Sequence, residues 1–171
     1  WGQVWFNRRG FVRQILKFID KLISKFSTNV LTECKSQKKF LEDQNVVSRD
    51  YLKVLANGSI CGVDTKKFYR NESFRQEIRG KLKISEDTIL LLFLGRLNKD
   101  KGILDLAEVV NDIIENQKKN ISLLIVGPDE ENIKSKIKLM CKNTIKRIHF
   151  VDFTDQPEKY MSSADLFCLP S

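Results

Sequence analysis

Leu91–Val110, LLFLGRLNKDKGILDLAEVV, runs from continuous apolar residues through Gly95-Arg96 and Lys101-Gly102 into an amphipathic helical pattern. A buried strand that turns into a helix in this way is one unit of an alternating α/β chain, and the same pattern recurs on either side. Upstream, a helix is predicted over Arg8–Phe26, strands over Asn29–Glu33 and Leu52–Ala56, and helices over Ser36–Asp43 and Ser73–Leu82. Downstream of the Ile89–Gly95 strand come a helix over Gly102–Asn116, a strand over Ile121–Gly127 and a helix over Glu131–Lys142. A strand over Ile148–Val151, a helix over Gln156–Ser163 and a strand over Asp165–Leu169 complete the series. Strands that are apolar throughout, separated by helices, specify a parallel sheet covered on both faces.

The 171 residues, 42% of them hydrophobic, suffice for a packed core of ordinary domain size. No apolar run reaches the roughly 20 residues that span a bilayer, and no signal peptide opens the chain, so a cytoplasmic location is the default expectation. Cys34, Cys61, Cys141 and Cys168 form no CxxC pair and read as free thiols, and no metal site is expected. His149, inside the run IHF, reads as a buried, hydrogen-bonded core histidine. The chain begins at Trp1 and its methionines are Met140 and Met161, so a piece of a longer protein is expected.

The net charge of +8 is concentrated early: residues 1–49 hold ten Lys/Arg against four acids, while residues 88–171 hold twelve of each. Phe11, Val12, Ile15, Leu16, Ile19, Leu22, Ile23 and Phe26 form one helical stripe, with Arg13, Lys17, Lys21 and Lys25 on the other side. Two readings are open: a domain helix whose stripe is a core face and whose basic side is solvated, or a helix over Arg8–Phe26 that meets an anionic membrane surface, with the protein peripheral to the inner face. Nucleic acid is not expected as a partner, because the basic row lacks interleaved aromatics.

In a parallel α/β sheet, ligands bind beyond the carboxyl ends of the strands. Gly95 ends a strand there, and the following helix turns its unpaired N–H groups and positive dipole end toward any bound anion. Arg96 can grip a phosphate with two hydrogen bonds and Lys101 adds a mobile charge. Neither GxxxxGK[ST] nor GxGxxG occurs, and GRLNKDKG is equally an ordinary hydrophilic turn on spacing alone.

Four segments in order, NGSICGVDTKKF (Asn57–Phe68), FLGRLNKDKG (Phe93–Gly102), LLIVGPDE (Leu123–Glu130) and YMSSADLFCLPS (Tyr160–Ser171), together resemble the family 4 glycosyltransferases, and the GSxxGVD form is similar to the bacterial subgroup serving capsule, O-antigen or glycoprotein precursors. The resemblance implies a GT-B fold: two Rossmann-like parallel sheets, here incomplete at both ends. It implies residues 1–62 as the tail of the acceptor-side domain, 63–87 as the connector and 88–171 as the first half of the donor domain. It also implies a retaining transfer of a hexosyl group from a nucleoside-diphosphate sugar, such as a UDP-sugar, to a glycan or lipid-linked glycan acceptor. No cofactor and no metal are required in this reading.

Residue by residue, the resemblance places Arg96 and Lys101 on the donor diphosphate, with Gly95 admitting it to the backbone. Gly127, Phe153 and Thr154 match the nucleobase and donor pocket, while Asp165 orients the last strand. The Glu-rich motif that follows Leu-Pro-Ser in the family lies past Ser171, so no catalytic residue is assigned. Two alternatives share the diphosphate site: a GT-B nucleotide-sugar epimerase and a non-catalytic nucleotide-sugar-binding module.

Overall fold

The computed structural model describes residues 4–48, 51–59 and 62–170. Packing groups the chain into two units, Trp1–Val63 and Asp64–Ser171.

The first unit contains α1 (Gly10–Phe26), β1 (Val30–Thr32), α2 (Lys35–Asp43) and β2 (Leu52–Val54). The strands pair in parallel, Val30 opposite Leu52. Trp5, Val30, Leu41, Val46, Val47 and Leu52 form a small core, with the Trp5 ring stacked on Phe40 at 5.6 Å.

α1 lies the opposite way round from a core-facing helix. Its polar edge meets the unit: Ser24 Oγ donates to Val46 O at 3.1 Å, Asp20 accepts from Trp5 Nε1 at 2.7 Å, and the Arg13 and Lys17 cations lie over the Trp5 ring at 5.6 and 5.8 Å. The apolar arc of Phe11, Val12, Ile15, Phe18, Ile19, Leu22, Ile23 and Phe26 is left 38–82% exposed. The expectation of a core-facing stripe with a solvated basic side is therefore corrected. An indole that needs both a hydrogen-bond acceptor and an apolar seat claims Asp20 and Leu16, and the cations next to them follow. Among the described residues no helix is long and apolar enough to cross a membrane.

The second unit holds α3 (Glu72–Leu82), β3 (Ile89–Leu94), α4 (Ile103–Gln117), β4 (Ile121–Val126), α5 (Ile133–Met140), β5 (Ile148–Val151), α6 (Pro157–Ser163) and β6 (Leu166–Phe167), with short 3-10 turns at Lys99–Lys101 and Ile145–Arg147. Its four strands are all parallel, in the order β5-β4-β3-β6. Successive side chains point to opposite faces. Leu91, Phe93, Leu123 and Ile125 therefore pack with Ile103, Ala107 and Val110 of α4 and with Ile133 and Ile137 of α5. Leu90, Leu92, Leu124 and Val126 pack on the other face with Ile78 of α3, and Tyr160 of α6 lies against the same cluster. Both faces of β3 and β4 are buried, which is why these two strands read as unbroken apolar runs.

From β3 the chain steps outward through β4 to β5, and α6 then carries it back to lay β6 on the other side of β3. The order of strands thus reverses between β3 and β6, which makes their carboxyl ends the topological switch point, the place where ligands bind in sheets of this kind.

At the opposite, amino end, Asp165 joins β6 to its neighbours. Its carboxylate accepts from Leu90 N at 2.7 Å, Arg79 Nη2 at 2.6 Å and Arg75 Nη2 at 3.0 Å. The Arg79 side chain is 1% exposed, and it also donates to the carbonyls of Ser163, Ser85 and Thr88. Of the four cysteines, Cys34, Cys141 and Cys168 are free thiols, and Cys61 lies outside the described residues.

Candidate functional site

The rim at the carboxyl ends of the strands is built from backbone before it is built from side chains. Gly95 N donates to Val126 O at 3.0 Å and Gly127 N to Val151 O at 3.0 Å, so hydrogen bonding continues one residue beyond each strand. A Cβ on Gly127 would lie 1.9 Å from Gly95 O, and the Gly127 φ of +146° is itself outside the range of side-chain-bearing residues. The structure thus brings Gly95 and Gly127 into direct backbone contact. On the other side of β3, a Cβ on Gly102 would meet Pro170 Cβ at 2.8 Å, which seats the start of α4 against the segment leaving β6. That seat is the switch point. α4 has no side-chain N-cap, so its first N–H groups remain available to a ligand.

The loops after β3 and β4 are strapped together. Leu97 pairs with Asp129 in an isolated parallel bridge, Leu97 N donates to Pro128 O at 2.8 Å, and Glu130 N donates to Leu97 O at 3.2 Å. Leu97 is buried, a hydrophobic peg beneath a charged loop. Asp129 then caps α5 by accepting from Ile133 N at 2.7 Å and Lys134 N at 3.0 Å. Burial acts to raise its pKa, but these N–H bonds outweigh it and hold the carboxyl below the usual range.

Arg96 leaves this strap 64% exposed, with Nη1 donating to Glu130 Oε1 at 3.2 Å. The other oxygen of Glu130 accepts from Asn98 Nδ2 at 3.0 Å, and Glu131 accepts from Lys99 N at 3.2 Å. Lys101 belongs to the 3-10 turn Lys99–Lys101 just ahead of α4, and Gly102 in the left-handed region joins the two. The loop needs that extra turn because Leu97 is pinned to the neighbouring loop before the helix can begin. Arg96 and Lys101 therefore sit on the single loop between β3 and α4.

Phe153 and Thr154 follow β5, two strands from β3 along the same sheet edge. The Phe153 side chain is 77% exposed, and the Thr154 hydroxyl accepts from Gln156 N at 3.1 Å at the approach to α6. Next to them Lys134 of α5 pairs with Asp152. His149 is half-buried on an edge strand and makes no side-chain hydrogen bond among the described residues, in contrast to the satisfied core histidine expected; burial and the nearby Arg147 lower its pKa. The sequence reading missed Glu130, Asn98 and the seat of Gly102 on Pro170. Each depends on contact between loops more than 30 positions apart in sequence or on an inter-strand register, for which linear spacing carries no signal.

The arrangement offers two cations on one loop, a helix start and a glycine-walled rim, a set suited to holding a dianionic group against backbone. The family model for glycosyl transferases group 1 matches residues 74–171. The capsular polysaccharide biosynthesis glycosyltransferase CapM of Staphylococcus aureus is 24% identical over 164 residues, 95% of this chain and 42% of the relative. The O-antigen biosynthesis glycosyltransferase WclY of Escherichia coli is 28% identical over 173 residues, the whole of this chain and 40% of the relative. The chain thus spans about two fifths of the length of these two proteins. Among solved structures, HepE of Anabaena, in complex with UDP and glucose, superposes with a TM-score of 0.76 at 16% identity, over 92% of this chain and 42% of that one. WaaG, a glycosyltransferase involved in lipopolysaccharide biosynthesis, superposes with a TM-score of 0.67 at 21% identity, over 82% of this chain and 37% of that one. At such identities the likeness is one of fold.

Proposed function

Because the chain belongs to the glycosyl transferases group 1 family, we propose that it carries the donor-diphosphate part of a glycosyltransferase of the capsule or O-antigen type. The observation that supports this reading is the single loop between β3 and α4, which carries both Arg96 and Lys101 at the carboxyl end of β3, next to the Gly95–Gly127 contact. The donor is a nucleoside-diphosphate sugar, a class supported by the UDP held in the similarly folded Anabaena protein. In this reading residues 88–171 contribute the donor side, 63–87 connect, and 1–62 belong to the acceptor side.

The proposed reaction breaks the bond between the anomeric carbon of a hexosyl group and the diphosphate, with retention of configuration. Negative charge develops on the leaving diphosphate oxygen, and Arg96, Lys101 and the first N–H groups of α4 stabilise it as it forms. The cations take the part a divalent metal plays in other transferases, and no cofactor enters. The Gly127 rim and the Phe153-Thr154 turn border the nucleobase and donor pocket. The acceptor in this reading is a lipid-linked glycan.

Calorimetric titration of the chain with UDP, GDP and ADP tests the reading. One nucleotide is expected to bind, and Arg96→Ala and Lys101→Ala are each expected to weaken it about tenfold or more, the size of a charge-assisted hydrogen bond, while circular dichroism stays unchanged. Binding that neither substitution alters would overturn it.

A further inference from the structure

Arg96 is exposed, long and flexible, and a side chain of that kind grips a diphosphate well only if something restricts where it points. The structure supplies such a restraint from the neighbouring loop. Glu130 Oε1 takes one N–H of the guanidinium at 3.2 Å, and Glu130 is itself stationed by Asn98 Nδ2 on its second oxygen at 3.0 Å. Its backbone is fixed as well, through Glu130 N to Leu97 O at 3.2 Å and the Leu97–Asp129 bridge. No other side-chain partner holds the Arg96 guanidinium among the described residues, so its remaining donors are free to meet a ligand.

We propose that Glu130 is a positioning residue for Arg96: it hooks one nitrogen of the guanidinium and presents the remaining donors to the diphosphate. The inference rests on the donor-site reading above and deepens it. A carboxylate beside an anion site has a cost, since its charge repels the ligand, so electrostatics alone makes the opposite prediction to positioning. If repulsion dominated, removing Glu130 would tighten binding. Positioning predicts that removal weakens it, and only when Arg96 is present to be positioned.

The test is a double-mutant cycle read by calorimetry on the full chain, with UDP or, where the parent binds GDP or ADP instead, with that nucleotide in its place. Glu130→Ala is expected to weaken UDP binding about three- to tenfold, and Glu130→Gln, which keeps an acceptor for Arg96, to stay within about twofold of the parent. In an Arg96→Ala background, Glu130→Ala should change nothing further. Asn98→Ala, which releases the second oxygen of Glu130, is expected to weaken binding by a smaller factor that also vanishes without Arg96; it probes the same linkage without altering Glu130. Tighter or unchanged binding in Glu130→Ala, or an equal loss in the Arg96→Ala background, overturns the positioning role. If the parent chain binds none of UDP, GDP and ADP, or Arg96→Ala leaves binding intact, the diphosphate reading itself falls and takes this inference with it.

Discussion

Asp165 accepts three donors at once, from Leu90 N, Arg75 and Arg79, and one of those partners is a buried guanidinium. Burial pushes its carboxyl upward in pKa, but the Leu90 N–H and the two arginines more than offset this and hold it below the usual carboxylate range. A carboxylate depressed in the folded state adds stability above its unfolded pKa of about 3.9, and loses that contribution as pH falls through the lower folded value. Urea unfolding between pH 7 and pH 3 should therefore show the parent chain losing an increment that Asp165→Asn lacks. At pH 7, Asp165→Ala is expected to cost about 2–3 kcal/mol, because the buried Arg79 loses its nearest counter-charge and keeps only carbonyl partners and the more distant Glu86, 3.9 Å away. Nucleotide affinity should barely move, since Asp165 lies at the opposite end of the sheet from the candidate site.

At the scale of the element, α1 is the segment whose surface conflicts with its place in the chain. Its eight large apolar side chains face outward while Ser24, Asp20, Arg13 and Lys17 make its contacts. Replacing Ile15, Ile19 and Leu22 with Gln should leave stability within about 0.5 kcal/mol per site, as for surface positions, and lower both hydrophobic dye binding and self-association in sedimentation. Helix and strand identity was legible in the sequence because periodicity is local: the β5 bounds, Ile148–Val151, agree with those predicted, and α1 and α4 shift by at most two residues at either end. Which side of α1 would be inward was not legible. That choice belongs to Trp5 and Val46, residues outside the helix. The same distinction separates Arg96, recognisable from a strand-to-helix junction, from Glu130, which meets it only because two loops run side by side.

At the scale of the whole molecule, the two units differ in how much they bury. The second has an apolar cluster on each face of a four-stranded sheet, whereas the first rests on one cluster around Trp5 beneath two strands. Hydrogen exchange should reflect this difference, with the amides of Leu91–Phe93 and Leu123–Ile125 exchanging most slowly and those of β1 and β2 well ahead of them. Comparable protection in both units would contradict the assignment of most buried stability to the second. The parallel sheet with helices on both faces was legible from unbroken apolar strands. The reversal between β3 and β6 was not, since β6 is two residues long and its position depends on the Asp165 linkage.

The Leu97–Asp129 bridge has a consequence for timing. Loops tied to one another before any ligand arrives have little rearranging left to do, so capture of an anion at this edge should proceed at a rate set by encounter and charge. In stopped-flow mixing such a rim would give a single phase whose rate rises linearly with ligand concentration and falls with added salt.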